Sequence, residues 1–242
     1  KQDEGFDEYG LTPIIIGSDT ISSTDLIRRK WLDNDFYGGV FNVSYKKDAL
    51  NLVIGGGYNE YIGRHFGEII WARYASDSEI RDHYYDNESK KTDFNIYVKA
   101  SYDLTSRLSV FGDMQIRQVD YNASGVDDGV AFSFENNNLF FNPKAGVNYQ
   151  LKDNSRVFAS YGVAHKEPNR TDLLYAEPDN QPVAEQLQDV ELGYQTKLKD
   201  DKTTLELNGF YMYYNNQLVL TGEVDNVGSP IRKNVGKSFR TG

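Results

Sequence analysis

Hydrophobic and polar side chains alternate along much of the 242-residue chain. Between residues 203 and 214, Leu205, Leu207 and Tyr211 occupy one face, and Glu206 and Asn208 occupy the other. The same period of two recurs in segments 94–102, 107–119, 143–151, 156–163 and 189–198. This period predicts β-strands that each have one apolar and one polar face.

The connections between these segments fall into two classes. Four are short and polar, as tight hairpins require: Lys46–Ala49, Asp103–Arg107, Lys152–Ser155 and Lys199–Lys202. They alternate with three long connections: Gly63–Thr92, Asn122–Asn138 and Ala164–Gln188. A helical turn is predicted inside the last of these, within Asp179–Gln188. Short turns at one end of a sheet and long loops at the other are typical of outer-membrane barrels.

Strand length favours the same architecture. Several segments run for about 10 to 14 residues, whereas strands of globular proteins average about 5 to 6. A tilted strand that crosses a bilayer needs about 9 to 11 residues. The predicted fold class is therefore all-β: a portion of an antiparallel transmembrane β-barrel, with about eight to ten strands between Phe36 and Gly242, short periplasmic turns and long extracellular loops.

The aromatic content changes how the apolar faces are interpreted. The chain has 18 Tyr and 13 Phe, and Tyr is favoured where one end of a side chain meets lipid and the other meets water. Aromatic residues at alternating outward positions predict a girdle at the membrane interface. The alternative is the aromatic core of a soluble protein.

A mean hydropathy of −0.62 and the lack of any apolar run of about 18 residues argue against transmembrane helices.

Charge and motif content exclude several functions. A net charge of −10 argues against a nucleic-acid partner, which requires clustered Lys and Arg. Without cysteine the chain has no disulfide, cysteine zinc site or cysteine nucleophile. It has no nucleophile elbow, phosphate loop or HExxH motif, so no catalytic residue, metal site or cofactor is expected and the protein is not predicted to be an enzyme.

The run Gly55-Gly56-Gly57 lies in an apolar strand and predicts a bend or a close-packing site.

A resemblance to a known family rests on residues 139–174. The motif residues are Phe141, Pro143, Lys144, Gly146, Val147 and Tyr149, then Ala159, Ser160 and Tyr161, then Pro168, Asn169, Asp172 and Leu173. This order resembles the barrel of TonB-dependent outer-membrane receptors. Segments 28–45, 189–198, 205–219 and 234–242 are also similar to strands of that family. His165-Lys166-Glu167 stands where the family commonly has Phe-Arg.

The resemblance implies a location, partners and a function. Such receptors sit in the cell outer membrane of Gram-negative bacteria, where a 22-stranded barrel surrounds an N-terminal plug. Residues 1–242 are predicted to be a partial barrel that lacks the plug and the last strands. The implied function is energy-coupled uptake of a scarce nutrient, with an iron complex such as a ferric siderophore favoured over haem, cobalamin or a glycan. The implied partners are that ligand, outer-membrane lipid and the TonB system, which acts through the plug.

Two alternatives stay open at this stage. One is another outer-membrane barrel such as a porin, which would lack the family's strand motifs. The other is a soluble β-rich adhesin or carbohydrate-binding module, which would bury its apolar faces inside one sandwich.

The ligand-binding candidates lie in the predicted loops. His83, Tyr84, Tyr85 and Asp86 belong to the longest one, where aromatic rings and charged groups would hold a ligand by stacking and charge. His165 is the fifth candidate. His65, His83 and His165 all fall in or beside predicted long loops, and a solvated loop histidine is the plainer interpretation of each. Ordinary aromatic packing is the plainer interpretation of the two tyrosines.

Overall fold

The computed structural model describes residues 4–127, 130–176, 180–198, 202–224 and 228–242. These residues form two compact units. Unit 1 contains Lys1–Gly38, Asn59–Thr92 and Asp120–Asn137, and unit 2 contains Gly39–Tyr58, Asp93–Val119 and Asn138–Gly242. Among the described residues, no helix has the length and apolar character that a membrane crossing requires.

Four short strands lie near the N-terminus and nine long strands follow. The short strands are β1 (Glu4–Gly5), β2 (Ile14–Ile16), β3 (Asp19–Ile21) and β4 (Ser23–Thr24). The long strands are β5 (Leu26–Lys47), β6 (Leu50–Ala72), β7 (His83–Asp103), β8 (Leu108–Asp127), β9 (Val130–Lys152), β10 (Ser155–Lys166), β11 (Glu185–Lys197), β12 (Thr204–Val224) and β13 (Pro230–Thr241). The long strands form one sheet in sequence order, from β5 at one end to β13 at the other. The antiparallel all-β prediction is confirmed.

The strands are longer than the sequence predicted. Strands β6 and β9 have 23 residues each, about twice what a tilted bilayer crossing needs. The predicted loops Gly63–Thr92 and Asn122–Asn138 are therefore wrong in their bounds, because β6 to β9 continue through most of both. A strand beyond the bilayer can meet water on both faces, so the period-two signal fades although backbone pairing continues.

The predicted short turns and the third predicted long connection can also be compared with the structure. Short turns at 48–49, 104–107 and 153–154 are confirmed, whereas residues 199–201 of the fourth lie outside the described residues. The connection between β10 and β11 spans 167–184. Its helical turn is α1 (Arg170–Leu174) and not within Asp179–Gln188, of which Asp179 lies outside the described residues.

Helix α1 explains one family motif. The Asn169 side chain accepts a hydrogen bond from the Asp172 backbone N–H at 2.8 Å, and the Asp172 carboxylate accepts one from the Asn169 backbone N–H at 3.0 Å. This reciprocal capping box fixes the helix start. Pro168 and Leu173 are buried beside it. The Pro-Asn and Asp-Leu pairs of the motif thus have a structural role.

Strands β9 to β12 in unit 2 share one apolar face. The register aligns Tyr149, Val157, Tyr194 and Leu207 in one row. Two further rows follow the same pairing: Val147, Ala159, Leu192 and Gly209, then Ala145, Tyr161, Val190 and Tyr211. Leu192 and Leu207 are each 64 % exposed. Large apolar side chains on an exposed sheet face are what a lipid-facing surface presents.

The opposite face of these strands is polar and packs closely at glycines. It carries Gln150, Arg156, Gln195 and Glu206 in one row. Rings lie over glycines of neighbouring strands, with Phe158 over Gly193 and Phe111 over Gly146. The close-packing interpretation of the triple-glycine run is confirmed, because a Cβ on Gly56 would lie 2.5 Å from the Asn95 carbonyl oxygen.

Candidate functional site

The segment His83–Asp86 opens strand β7 and is not in a loop, which corrects the predicted location. Successive strand residues point to opposite faces, and the neighbours of His83 and Tyr84 differ accordingly. His83 stacks on Phe66, whereas Tyr84 packs against Tyr9. The four consecutive candidates therefore do not form one site.

His83 belongs to an exposed row of rings in unit 1. Its ring lies 4.3 Å from that of Phe66 at an interplanar angle of 21°, and Phe66 lies 6.1 Å from Trp31. The His83 Nδ1 atom is 3.1 Å from Asp86 Oδ2, and both side chains are well exposed at 40 % and 58 %. We call Trp31, Phe66, His83 and Asp86 the aromatic patch. Its rings and carboxylate are available to a planar or cationic group.

Tyr84 faces a buried cluster contributed by the N-terminal segment. Phe6, Tyr9, Leu11 and Ile69 form that cluster, and Tyr84 packs against it with its ring 4.8 Å from that of Tyr9. Burial raises the pKa of the Tyr84 phenol because it disfavours the phenolate. Tyr84 thus anchors the N-terminal segment to β6 and β7, which matches the plainer interpretation.

A buried carboxylate lies next to the aromatic patch. Glu68 Oε2 accepts hydrogen bonds from the Trp31 indole N–H at 2.6 Å and the Arg29 guanidinium at 2.8 Å. The hydrogen bonds from Trp31 and Arg29 hold the pKa of Glu68 below its ordinary value, against the effect of burial. Arg29 also stacks over the Trp31 ring at 4.6 Å. Glu68 therefore orients the indole of the patch, a role that sequence reasoning missed.

His165 lies near the end of strand β10 and not in a loop, which corrects its predicted position. The regular pairing of β10 with β9 ends at the Gly162–Lys144 pair. Just beyond it, His165 Nδ1 lies 2.8 Å from Asn142 Oδ1, and His165 Nε2 lies 3.0 Å from Gln186 Nε2. His165 thus bridges β9 and β11.

The amide partners determine the tautomer of His165. The Asn142 side-chain NH₂ donates to Gln115 at 3.0 Å, so Asn142 presents its oxygen to the ring. His165 Nδ1 must then donate, and Nε2 must accept from the Gln186 amide. A neutral imidazole satisfies both bonds. Its ring also stacks on buried Phe140 at 5.2 Å.

His65, the third histidine, lies inside β6 and not in a loop. Its Nε2 atom is 3.0 Å from Asn34 Oδ1, and the neighbouring Tyr61 hydroxyl donates to the same oxygen at 2.9 Å. The contacts of His65 therefore link β6 to β5.

Unit 2 also contains an ion-pair triad that the sequence did not reveal. Arg117 on β8 binds Asp93 on β7 at 2.5 Å and Glu167, just after β10, at 3.0 Å. Arg117 Nε and Nη2 both donate to Asp93 Oδ2, whereas Nη1 and Nη2 donate to the two carboxylate oxygens of Glu167. All three side chains are at most 25 % exposed. The residues lie 24 and 50 positions apart, so no local motif could have indicated the triad.

A family model for the TonB-dependent receptor-like β-barrel matches residues 2–242, nearly the whole chain. The chain belongs to the TonB-dependent receptor β-barrel family. As a barrel of this family it is an outer-membrane protein, and its exposed apolar rows are the lipid-facing surface. This membership overturns both alternatives, the porin and the soluble adhesin or carbohydrate-binding module.

Solved structures agree with the family. The copper transporter OprC is 15 % identical with a TM-score of 0.68, over 89 % of this chain and 35 % of its own. The ferric-catecholate import receptor Fiu of E. coli K12 is 14 % identical with a TM-score of 0.57, over 91 % and 35 %. The ferric yersiniabactin uptake receptor FyuA of Yersinia pestis is 16 % identical with a TM-score of 0.57, over 91 % and 34 %. The chain thus spans about a third of the length of these TonB-dependent receptors. No curated protein sequence matches it.

Proposed function

We propose that the protein is a receptor for energy-coupled uptake of a scarce nutrient across the outer membrane, and not an enzyme. Family membership over residues 2–242 carries this proposal. The long strands support it, because β6 and β9 exceed a bilayer crossing by about 12 to 14 residues and so extend a folded surface beyond the lipid. Coupling to the TonB system through a plug domain is part of the same proposal.

We further propose that the nutrient is a ferric siderophore or a similar iron complex. The fold likeness to Fiu, named as a ferric-catecholate import receptor, and to FyuA, named as a ferric yersiniabactin uptake receptor, supports iron. The likeness to OprC, named as a copper transporter, makes copper the natural control substrate. Haem, cobalamin and glycans are the alternative ligand classes to a ferric siderophore.

Within unit 1, a ligand can contact only the side chains that are exposed to solvent. His83 and Asp86 are the accessible members of the predicted loop site, and we propose that they contact the ligand together with Phe66 and Trp31. Tyr84 supports this surface from the opposite face of β7. Tyr85 lies beside Tyr84 at 5.0 Å and beneath the Lys30 ammonium at 5.8 Å. The fifth candidate, His165, belongs to unit 2.

The test is uptake of radioactive iron by iron-limited cells in which this protein is the sole outer-membrane receptor for iron complexes. A panel of ferric siderophores, haem and a copper complex is supplied, with and without an intact TonB system. We expect TonB-dependent uptake of one iron complex, and uptake of copper alone would contradict the iron proposal.

His83→Ala should raise the uptake KM about three- to tenfold, as loss of one stacked ring implies. The matched control His65→Ala removes a histidine outside the patch and should leave KM unchanged.

A further inference from the structure

Four aromatic rings on the polar face of unit 2 each lie over a glycine on the opposite side of a strand pair. These ring–glycine pairs are Tyr97 over Gly55, Phe111 over Gly146, Phe158 over Gly193 and Phe210 over Gly242. A Cβ on any of the four glycines would come within 3.0 Å of the ring. Each ring therefore occupies the space that the glycine leaves free of a side chain.

The ring–glycine pairs fall on alternate neighbours in the sheet. They join β6 to β7, β8 to β9, β10 to β11, and β12 to the residue directly after β13. In each of these strand pairs, the chain connects the two strands at the extracellular end. The other neighbours, from β5–β6 to β11–β12, are connected at the periplasmic end by short segments.

The neighbours with a periplasmic connection have no such pair on the polar face within the described part of the chain. Phe41 on β5 does approach Gly56 on β6, but a Cβ there would lie 3.2 Å from the ring. Gly56 is also next to Gly55 and so belongs to the opposite, apolar face. The ring–glycine pairs are thus confined to the neighbours that lack a periplasmic connection.

The ring–glycine pairs lie near the periplasmic end of their strands. Gly55 is five residues from the start of β6, and Phe111 and Phe158 are each three residues from the starts of β8 and β10. Phe210 is six residues from the start of β12. At this height the short connections hold the other neighbours together, whereas these strand pairs have no covalent link.

A strand pair that is connected only at its far end needs another determinant of register. About 30 to 40 residues separate the two members of each ring–glycine pair, and the entropy cost of closing a loop rises with its length. Because the side-chain period is two, alternation of faces excludes a slip of one residue but permits a slip of two. Such a slip would put Phe158 opposite Glu191 or Gln195, whose side chains fill the space that Gly193 leaves open.

We propose that the ring–glycine pairs are clasps that hold these strand pairs together and in register at the periplasmic end. In each clasp the glycine leaves the space and the ring fills it by packing. The order of the two parts along the chain is not fixed, because the glycine comes first in Gly55–Tyr97 and the ring comes first in the other three. The inference depends on the barrel fold and not on the proposed uptake function.

Hydrogen exchange at single backbone amides of β11 tests the clasp between β10 and β11, in the full-length receptor in detergent. The Lys197 N–H donates to a carbonyl of the turn before β10 at 2.8 Å. Alternate amides of a strand point to the same neighbour, so those of Gly193 and Gln195 also point to β10. The amides of Tyr194 and Thr196 point to β12, to which β11 is connected at the periplasmic end.

Phe158→Ala should speed exchange of the Gly193 and Gln195 amides about three- to tenfold, because the strand pair opens more easily once the packed ring is lost. The Tyr194 and Thr196 amides should keep their rates. The double variant Phe158→Gly with Gly193→Phe should restore slow exchange at Gln195, because it interchanges the two parts of the clasp.

The matched control is Tyr149→Ala, which removes a ring between β9 and β10, a strand pair that a short turn already connects. It should leave exchange in β11 unchanged. Heat-modifiable migration in detergent checks that each variant is folded. Unchanged rates at Gly193 and Gln195 in Phe158→Ala, or an equal rise at all four amides, would overturn the proposal. A double variant that exchanges as fast as the single one would also overturn it.

Discussion

The ring of Phe158 lies directly over Gly193, its partner residue on the neighbouring strand β11. A Cβ on Gly193 would overlap the ring, because it would lie 2.0 Å from Phe158 Cζ. An aromatic ring over a glycine joins two strands through packing instead of side-chain hydrogen bonds. The pair therefore depends on the absence of one methyl group.

Gly193→Ala should destabilise the barrel by about 1–3 kcal/mol, because the added methyl forces Phe158 out of its place. Gly209→Ala is the matched control, since a Cβ there would meet only two carbonyl oxygens at 3.8 and 3.9 Å. Denaturant unfolding in detergent micelles measures both variants. Equal stability of the two would show that Phe158 rotates away without cost.

Arg117→Ala should cost about 3 kcal/mol, because Asp93 and Glu167 would be left close together without their cation. The control is Lys99→Ala, which breaks the pair with Asp113 between the same strands. That lysine is 58 % exposed, so its loss should cost about 0–1 kcal/mol. Unfolding free energies of the two variants decide the question, and a small loss in both would mean that the triad is screened by water.

Leu192→Arg should destabilise the membrane-inserted barrel by about 2–4 kcal/mol, because the residue faces lipid near the middle of its strand. Asn208→Arg places the same side chain on the polar face, opposite Gly193, and should be nearly neutral. The comparison is made by guanidinium unfolding from phospholipid vesicles. If the asparagine variant proved the costlier one, the assignment of the two faces would be reversed.

Acid should release the Trp31 indole from Glu68. The pKa of Glu68 in the folded protein lies below its ordinary value of 4.5 because of its hydrogen bonds from Trp31 and Arg29. A lowered folded pKa means that the stabilising contribution is complete above pH 4.5 and is lost as the pH falls through the folded pKa. The local fold around Trp31 should therefore loosen only below pH 4.5.

Fluorescence can follow this change at one residue. These 242 residues contain two tryptophans, so Trp71→Phe leaves Trp31 as the one tryptophan among them. We expect its emission to change as the pH is lowered from 6 to 3, and Glu68→Gln should remove the transition. A transition that persists in the glutamine variant would assign it to another group.

The sequence alone determined the fold class, the short turns and the family. A strand that separates lipid from a polar face must alternate apolar and polar side chains, as Leu205, Leu207 and Tyr211 alternate with Glu206 and Asn208. The period of two therefore predicts the architecture by itself. The packing role of Gly55-Gly56-Gly57 was also readable, because glycine in a strand marks close approach of backbone.

Only the tertiary structure decided where the strands end and which candidates meet. Beyond the bilayer both faces can meet water, so β6 to β9 continue without a periodic signal through segments predicted as loops. His83 and Tyr84 are adjacent in sequence, yet the strand sends one to Phe66 and the other to Tyr9. The members of the Arg117 triad lie far apart along the chain. Their contacts depend on strand register, which is set by pairing across the sheet and not by local sequence.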